Sequence, residues 1–217
     1  MKVCAINGSP RKNKNTATLL QKALDGVKKA AKDKEIETEM INLYDFNYTG
    51  CKSCFSCKRF GGKSYGKCAV KDDIQEVLEE LSQTDGIIFG SPVYFGDITG
   101  QLRSFLERLL FHYLVYDNNY SSLAPKKMPT AMIYTMNVTE EIMNKSGYLS
   151  TFNNIEAFIG KVFTKPLVMH SNDTYQFDDY SKYKMEVFSE EAKAAHRKVQ
   201  FPLDCKKAFE MGASLIK

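Results

Sequence analysis

The chain has 217 residues, of which 43% are hydrophobic, a formal net charge of +4 and six cysteines. It is long enough for a full core, it holds no run of about twenty apolar residues that would span a membrane, and its mild charge does not favour nucleic acid. Because the first apolar stretch stops at Asn7, too early for a signal peptide, we expect a cytoplasmic protein whose clustered cysteines serve metal or redox chemistry.

Strand and helix patterns alternate along the first half of the chain. Lys2–Ile6 predicts a strand that ends in a turn, Thr16–Ala31 has helical spacing, and Ile36–Leu43 alternates like a second strand. Tyr44–Lys71 has no periodicity and holds four cysteines, so we interpret it as a structured insertion with a function. Asp73 then opens a helix, with Glu76 completing a capping box.

The second half continues the alternation. Three more strands are predicted at Gly86–Gly90, Thr130–Met136 and Phe163–Met169. Helices are predicted at Gln101–Tyr113, from Phe152 to Val162, and at Ser189–Ile216, where Pro202 breaks or kinks the helix. Asn137–Gly147 is predicted to be a loop and Asn172–Tyr183 to be irregular. The whole pattern predicts an α/β fold with an open parallel five-stranded sheet, in order 2-1-3-4-5, and helices on both faces.

In such a sheet, ligands bind beyond the carboxyl ends of the strands where the strand order reverses, here between the first and third strands. The first loop there runs into a helix, whose free N–H groups suit a phosphate. It offers the polar side chains Ser9, Arg11, Asn15 and Thr16. A P-loop is excluded by Asn13, which replaces its second glycine, and the G-x-G-x-x-G pattern is absent. A solvated turn with a threonine cap is the alternative.

The loop after the third strand has the sequence Gly90-Ser91-Pro92-Val93-Tyr94-Phe95-Gly96. Two aromatic rings and a proline are unusual in a surface turn, and they offer a flat apolar surface to a planar ligand. Alternatively, both rings belong to the core. Beside a phosphate loop, the residues favour a planar phosphorylated cofactor.

These motifs resemble a known family. Gly8-Ser9-Pro10-Arg11 with Asn15-Thr16, followed by Gly90-Ser91-Pro92-Val93-Tyr94, is similar to the NADPH-dependent FMN reductases and the related iron–sulfur flavoproteins. The resemblance implies one flavodoxin-like, FMN-binding domain over residues 1–217, with a cysteine-rich insertion at about 44–71, and a homo-oligomer, dimer or tetramer. By motif match, Ser9, Arg11, Asn15 and Thr16 hold the phosphate, and the ring is lined by Pro92, Val93, Tyr94, Phe95 and Gly96.

The cysteine segment resembles the iron–sulfur branch specifically, through Cys51, Cys54, Cys57 and Cys68. Their three-plus-one spacing favours a [4Fe–4S] cluster. Free or oxidised thiols are the next alternative, and zinc is the last. Ten residues separate Cys57 from Cys68, more than the branch normally has, so Arg59–Tyr65 either loops out or marks a relative that lost the cluster. Lys14 stands where the family often has glycine. A lysine would resist the backbone conformation if this position requires a positive φ.

The resemblance implies an FMN-dependent oxidoreductase that passes electrons from NAD(P)H or a redox protein to a small-molecule or protein acceptor. We name no catalytic side chain, because the flavin carries the chemistry. The alternative is a non-catalytic electron carrier of the flavodoxin type.

Overall fold

The structure, a computed structural model, describes residues 1–32 and 34–216. Its strands are β1 (Lys2–Asn7), β2 (Glu37–Asn42), β3 (Gly86–Tyr94), β4 (Asp97–Ile98), β5 (Thr130–Thr135) and β6 (Leu167–Ser171). Its helices are α1 (Asn15–Ala31), α2 (Gln75–Leu81), α3 (Gly100–Phe111), α4 (Glu140–Lys145), α5 (Tyr148–Val162) and α6 (Glu190–Leu215). Within the described ranges, no helix is both long and apolar enough to cross a bilayer.

Five parallel strands form the sheet in the order β2-β1-β3-β5-β6, and the two-residue β4 pairs with β3 in the antiparallel sense. Apart from β4, this is the predicted order, so the fold prediction is confirmed. Side chains of β1 alternate between two cores: Val3 and Ala5 face α1 and α6, whereas Cys4 and Ile6 face α2, α3 and α5. Helices therefore cover both faces of the sheet.

Several boundaries differ from the predictions. The last predicted strand begins at Leu167 rather than Phe163, because Phe163 ends α5, where its N–H donates to Ile159 O (2.8 Å) and its ring is buried. The predicted loop 137–147 contains α4, whose start is capped by the Thr139 side chain. Helix α6 continues through Pro202, so the proline does not break it.

The predicted capping box at Asp73 is wrong. Helix α2 starts at Gln75 with Ile74 in the N-cap position and no side-chain cap. The Asp73 carboxylate instead accepts the backbone N–H of Asn47 at 2.9 Å, which ties the cysteine segment to the start of α2.

Helices α1 and α6 pack so closely that their backbones touch. A Cβ at Gly212 would lie 1.9 Å from Ala23 O, and one at Gly26 would lie 1.9 Å from Phe209 O. Because backbone atoms cannot move aside like a flexible side chain, both positions require glycine. The contact holds α6 against the helix whose first turn borders the predicted phosphate loop.

We expect Gly212→Ala to lower the free energy of unfolding by about 1–3 kcal/mol, because the added methyl forces α6 away from α1. Urea denaturation would measure this loss. The control is Gly100→Ala, also in a helix, where an added Cβ meets nothing within 4 Å. A loss no larger at Gly212 than at Gly100 would contradict the packing argument.

Candidate functional site

The two loops that the sequence singles out lie side by side at the carboxyl ends of β1 and β3. Gly8 N donates to Gly90 O (2.8 Å), and the Thr99 hydroxyl donates to Gly8 O (2.8 Å). A Cβ at Gly8 would come within 2.9 Å of the Leu102 side chain and 3.0 Å of Gly90 O. Glycine at position 8 therefore allows the two loops to approach. Thr99 was not predicted, although it precedes a helix that starts beside the site.

Helix α1 begins without a side-chain cap and without an acidic residue in its first turn. Its N-cap residue, Lys14, has φ −112°, an ordinary value for any side chain, so the lysine at this position does not strain the backbone. An uncapped helix start leaves backbone N–H groups available to an anion. Lys14 therefore occupies this position without requiring a positive φ.

The side chains predicted to hold phosphate surround this helix start. Ser9 is buried, and its Oγ accepts the N–H of Arg11 at 3.2 Å. The Thr16 and Thr135 hydroxyls lie 2.7 Å apart. Asn15 donates to Tyr175 O (2.9 Å) and accepts from Arg197 (2.7 Å), so its side chain joins α1 to the C-terminal part of the chain.

Residues 172–178, here called the covering segment, lie over this loop. Arg11 donates to Gln176 O at 2.6 Å, and Lys14 pairs with Asp178, which lowers the pKa of that carboxyl. At the other end of the segment, Asp173 pairs with Lys193, a buried lysine. The sequence predicts only an irregular stretch here. Its position after β6, at the same edge of the sheet, is the feature that could have indicated that it lies near the site.

The aromatic loop is a β-hairpin turn between β3 and β4. Phe95 and Gly96 occupy its two central positions with φ +52° and +79°, as in a type I′ turn. Phe95 is fully exposed and Tyr94 is 42% exposed, so neither ring belongs to the core. A Cβ at Gly96 would lie 3.2 Å from the Tyr148 ring, which was not predicted to be near the site.

The rest of the predicted ring site lies just before this turn. Pro92 and Val93 are half-buried, and Pro92 is opposite Thr135 on β5 in the sheet. Tyr44 lies at the end of β2, where burial, with the phenol of Tyr94 nearby, raises its pKa. Exposed aromatic rings at a strand terminus, one of them in an unfavourable backbone conformation, are typical of a ligand surface.

A second candidate site is built by the cysteine segment. The sulfur-bearing residues Cys51, Cys54, Cys57 and Cys68 all line one small cavity. Gly66 N donates to Cys57 O (3.0 Å), which closes the loop between them and returns the chain to the cavity. The additional residues 59–65 therefore loop out and do not separate Cys57 from Cys68.

The spacing of the cysteine sulfurs can be compared with that around a zinc ion. Thiolates around one zinc ion lie about 3.8 Å apart. Within residues 1–32 and 34–216, no three of these cysteine sulfurs lie within 4.8 Å of one another. The sulfurs are therefore not arranged around a single zinc ion. Hydrogen bonds from Ser56 lower the pKa of Cys54, whereas burial raises that of Cys57.

Arg108, on α3, holds the cysteine segment in place. Its side chain is 1% exposed, its Nε donates to Cys68 Sγ (3.0 Å), and its two terminal nitrogens form a fork with Asp72 (2.8 and 3.1 Å). Thr49 O accepts a further bond at 3.1 Å. One turn later, His112 lines the same cavity, and burial lowers its pKa to about 4. Arg108 could not be predicted from the sequence, because an arginine in an amphipathic helix is normally exposed.

The other two cysteines lie outside this cavity. Cys4 lies in the sheet within 4.8 Å of Glu39 and Glu80, but those carboxylates already pair with Lys2. Burial raises the pKa of Cys4 to about 12, so it stays a thiol. Cys205 is half-buried on α6.

Comparison with known proteins places the chain in context. A family model described as NADPH-dependent FMN reductase matches residues 1–138. An iron–sulfur flavoprotein of Methanocaldococcus jannaschii is 42% identical over 108 residues, which cover 50% of this chain and 51% of that protein. The chain spans about half the length of the curated relatives it matches.

Two solved structures share the fold over the whole chain. An NAD(P)H:quinone oxidoreductase from Methanothermobacter marburgensis superposes with a TM-score of 0.71 at 13% identity, covering 100% of this chain and 98% of that one. An FMN-dependent NADH-azoreductase from Bacillus anthracis, solved in complex with FMN, has a TM-score of 0.65 at 12% identity, with 100% of both chains covered. At these identities the likeness concerns the fold.

Replacing Phe95 should change the stability of the protein and its affinity for the ligand in opposite directions. Phe95→Asn creates an Asn-Gly type I′ turn, so we expect the free energy of unfolding to rise by roughly 0.5–1 kcal/mol. Affinity for FMN, the ligand that the sequence predicts, should fall by roughly 0.5–1.5 kcal/mol with the loss of the ring. Thermal unfolding and flavin fluorescence quenching would measure the two changes.

Tyr120→Asn is the matched control, since Tyr120 is another exposed aromatic residue with positive φ (+48°), located in the loop after α3. FMN affinity should be unchanged in this variant. Equal FMN affinity in the Phe95 variant and the wild type would rule out a ligand role for that ring.

Proposed function

Since the chain belongs to the NADPH-dependent FMN reductase family, we propose that it is an FMN-dependent oxidoreductase. The observation that carries this proposal is the pairing of an uncapped helix start with an exposed aromatic turn, joined through Gly8 and Gly90. One loop suits a phosphate and the other suits a flat ring. The proposal treats all 217 residues as one FMN-binding domain that carries the cysteine segment.

The residues present fit FMN in a specific way. The N–H groups at the start of α1, together with Ser9 and Arg11, would hold the phosphate, once Arg11 releases Gln176 O. The ring would lie against Pro92–Gly96, with Tyr44 at its edge. When bound, FMN supplies the chemistry, because its ring takes up a hydride or single electrons. The chain's own residues bind and orient it, and none is assigned a proton transfer.

We propose NAD(P)H as the electron donor and a small molecule or a redox protein as the acceptor. The resemblance also implies a homo-oligomer. The groove between α3 and α5 supports this, since its lining is mostly apolar and includes Leu106, Leu110 and Phe158, the last 52% exposed. The non-catalytic electron carrier is the second candidate, favoured only by the flavodoxin-like fold.

Reduction by nicotinamide separates these two functions. We expect the purified protein to contain flavin. In the absence of oxygen, NADPH or NADH should bleach the visible absorbance of that flavin, because a reductase admits the nicotinamide to the flavin. Anaerobic stopped-flow spectroscopy would follow the bleaching. Flavin that only a protein donor reduces would favour the carrier, and protein that binds no FMN would reject both.

For the cysteine site, we propose a [4Fe–4S] cluster held by Cys51, Cys54, Cys57 and Cys68. The proposal is supported by four cysteines that border one cavity and by a buried guanidinium that donates to Cys68. A positive donor stabilises thiolate sulfur, as ligands of such a cluster require. The cluster would supply one-electron transfer.

The proposed cluster makes a prediction for Cys54→Ser. Protein purified without oxygen should contain iron and sulfide, and the variant should lose the iron but keep its FMN, since the flavin loops come from other parts of the chain. Iron analysis and the flavin spectrum measure both. Cys205→Ser, outside the cavity, is the control. Wild-type protein that takes up no iron after anaerobic reconstitution would contradict the cluster.

A further inference from the structure

The arrangement of the cysteines does not explain the loop at residues 59–65. The hydrogen bond from Gly66 N to Cys57 O already returns the chain to the cysteine cavity. The loop is nevertheless well defined: Tyr65 N donates to Gly62 O (3.1 Å), and the rings of Phe60 and Tyr65 pack edge to face with centroids 5.8 Å apart. These contacts hold Tyr65 beside the space between the loop and helix α2.

A second cavity, of about 540 Å³, lies beside this loop. Tyr65 and Lys67 form one wall and helix α2 forms the other. Its volume falls in the range of small-molecule sites. Cys68 and His112 line both this cavity and the cysteine cavity, so the two share a wall. The flavin loops contribute no lining residue.

The lining indicates which ligands fit. Leu78 and Tyr113 are buried and apolar. The only charged residues among those lining the cavity are Lys67 and Glu79, one of each sign. A site without net charge disfavours nucleotides and other polyanions. An uncharged ring system matches its mixture of apolar and polar surfaces.

His112 adds a directional group. Its Nδ1 lies 2.8 Å from Arg108 O, so this nitrogen carries the hydrogen and donates it. The other ring nitrogen, Nε2, is then an acceptor. A ligand with a hydroxyl or N–H group can donate to it.

We propose that this cavity binds an uncharged planar aromatic molecule carrying a hydroxyl or N–H donor, against the wall formed by Cys68 and His112. The site is separate from that of the flavin. The inference goes beyond the proposed function, and the binding does not depend on that function.

The test uses 2-naphthol, an uncharged two-ring phenol, and isothermal titration calorimetry of FMN-loaded protein. Tyr65→Ala removes one wall and should weaken binding about tenfold. Leu123 also lines the cavity, so Leu123→Trp should fill it and abolish binding. Tyr116→Ala, at an exposed tyrosine that does not line the cavity, should bind like the wild type.

Absence of binding to the wild type, or equal affinities for the Tyr65 and Tyr116 variants, would overturn the proposal. So would competition between naphthol and FMN, because the probe would then occupy the flavin site. Protein that NAD(P)H reduces but that does not bind naphthol would overturn this inference alone. If the protein binds no FMN, the proposed function fails, and the titration of the protein as purified still decides the cavity.

Discussion

The short distance between the ends of β1 and β3 is the constraint on which the rest of the site depends. The hydrogen bond from Gly8 N to Gly90 O brings the two loops together at a point where a Cβ on Gly8 would lie 3.0 Å from Gly90 O. A Cβ at Gly90 would lie 2.8 Å from Leu20, on α1, so the same glycine also lets that helix pack against the sheet. The close packing around Gly8 and Gly90 thus positions the two loops and the start of α1.

Helix α3 connects this point to the cysteine segment. It begins after Thr99, whose hydroxyl caps it and also bonds to Gly8 O, and it carries Arg108 about 13 Å further along its axis. Burying a guanidinium costs several kcal/mol unless it is paired, and here Asp72, Cys68 and the carbonyl of Thr49 all satisfy it. The cysteine segment is therefore fixed to a rigid element that also borders the flavin loops. The two candidate sites share a scaffold although the chain builds them from different segments.

The sequence predicts the strand order and the position of both loops, because hydrophobic periodicity and the carboxyl-end rule are local or topological signals. Its errors occur where a residue has a tertiary partner. Phe163 looks like strand, yet it is buried at the end of α5. Asp73 looks like a cap, yet its carboxylate binds Asn47 N. Arg108 and Lys193 look like surface charges, yet each is buried against a carboxylate from another part of the chain. Such tertiary contacts leave no periodic pattern in the sequence from which they could be predicted.

The covering segment has a consequence for how the phosphate loop meets a ligand. Asp178 lies beside Lys14, with the charge of Arg11 also acting on it, and it stays ionised because its pKa is lowered. The chain thus carries an exposed, tethered carboxylate beside the proposed phosphate loop. An incoming dianion must compete with a tethered carboxylate whose local concentration is fixed by the fold and does not depend on the solution. Without a phosphate, the charge of Lys14 is therefore paired with a carboxylate, whereas Arg11 donates to the carbonyl of Gln176.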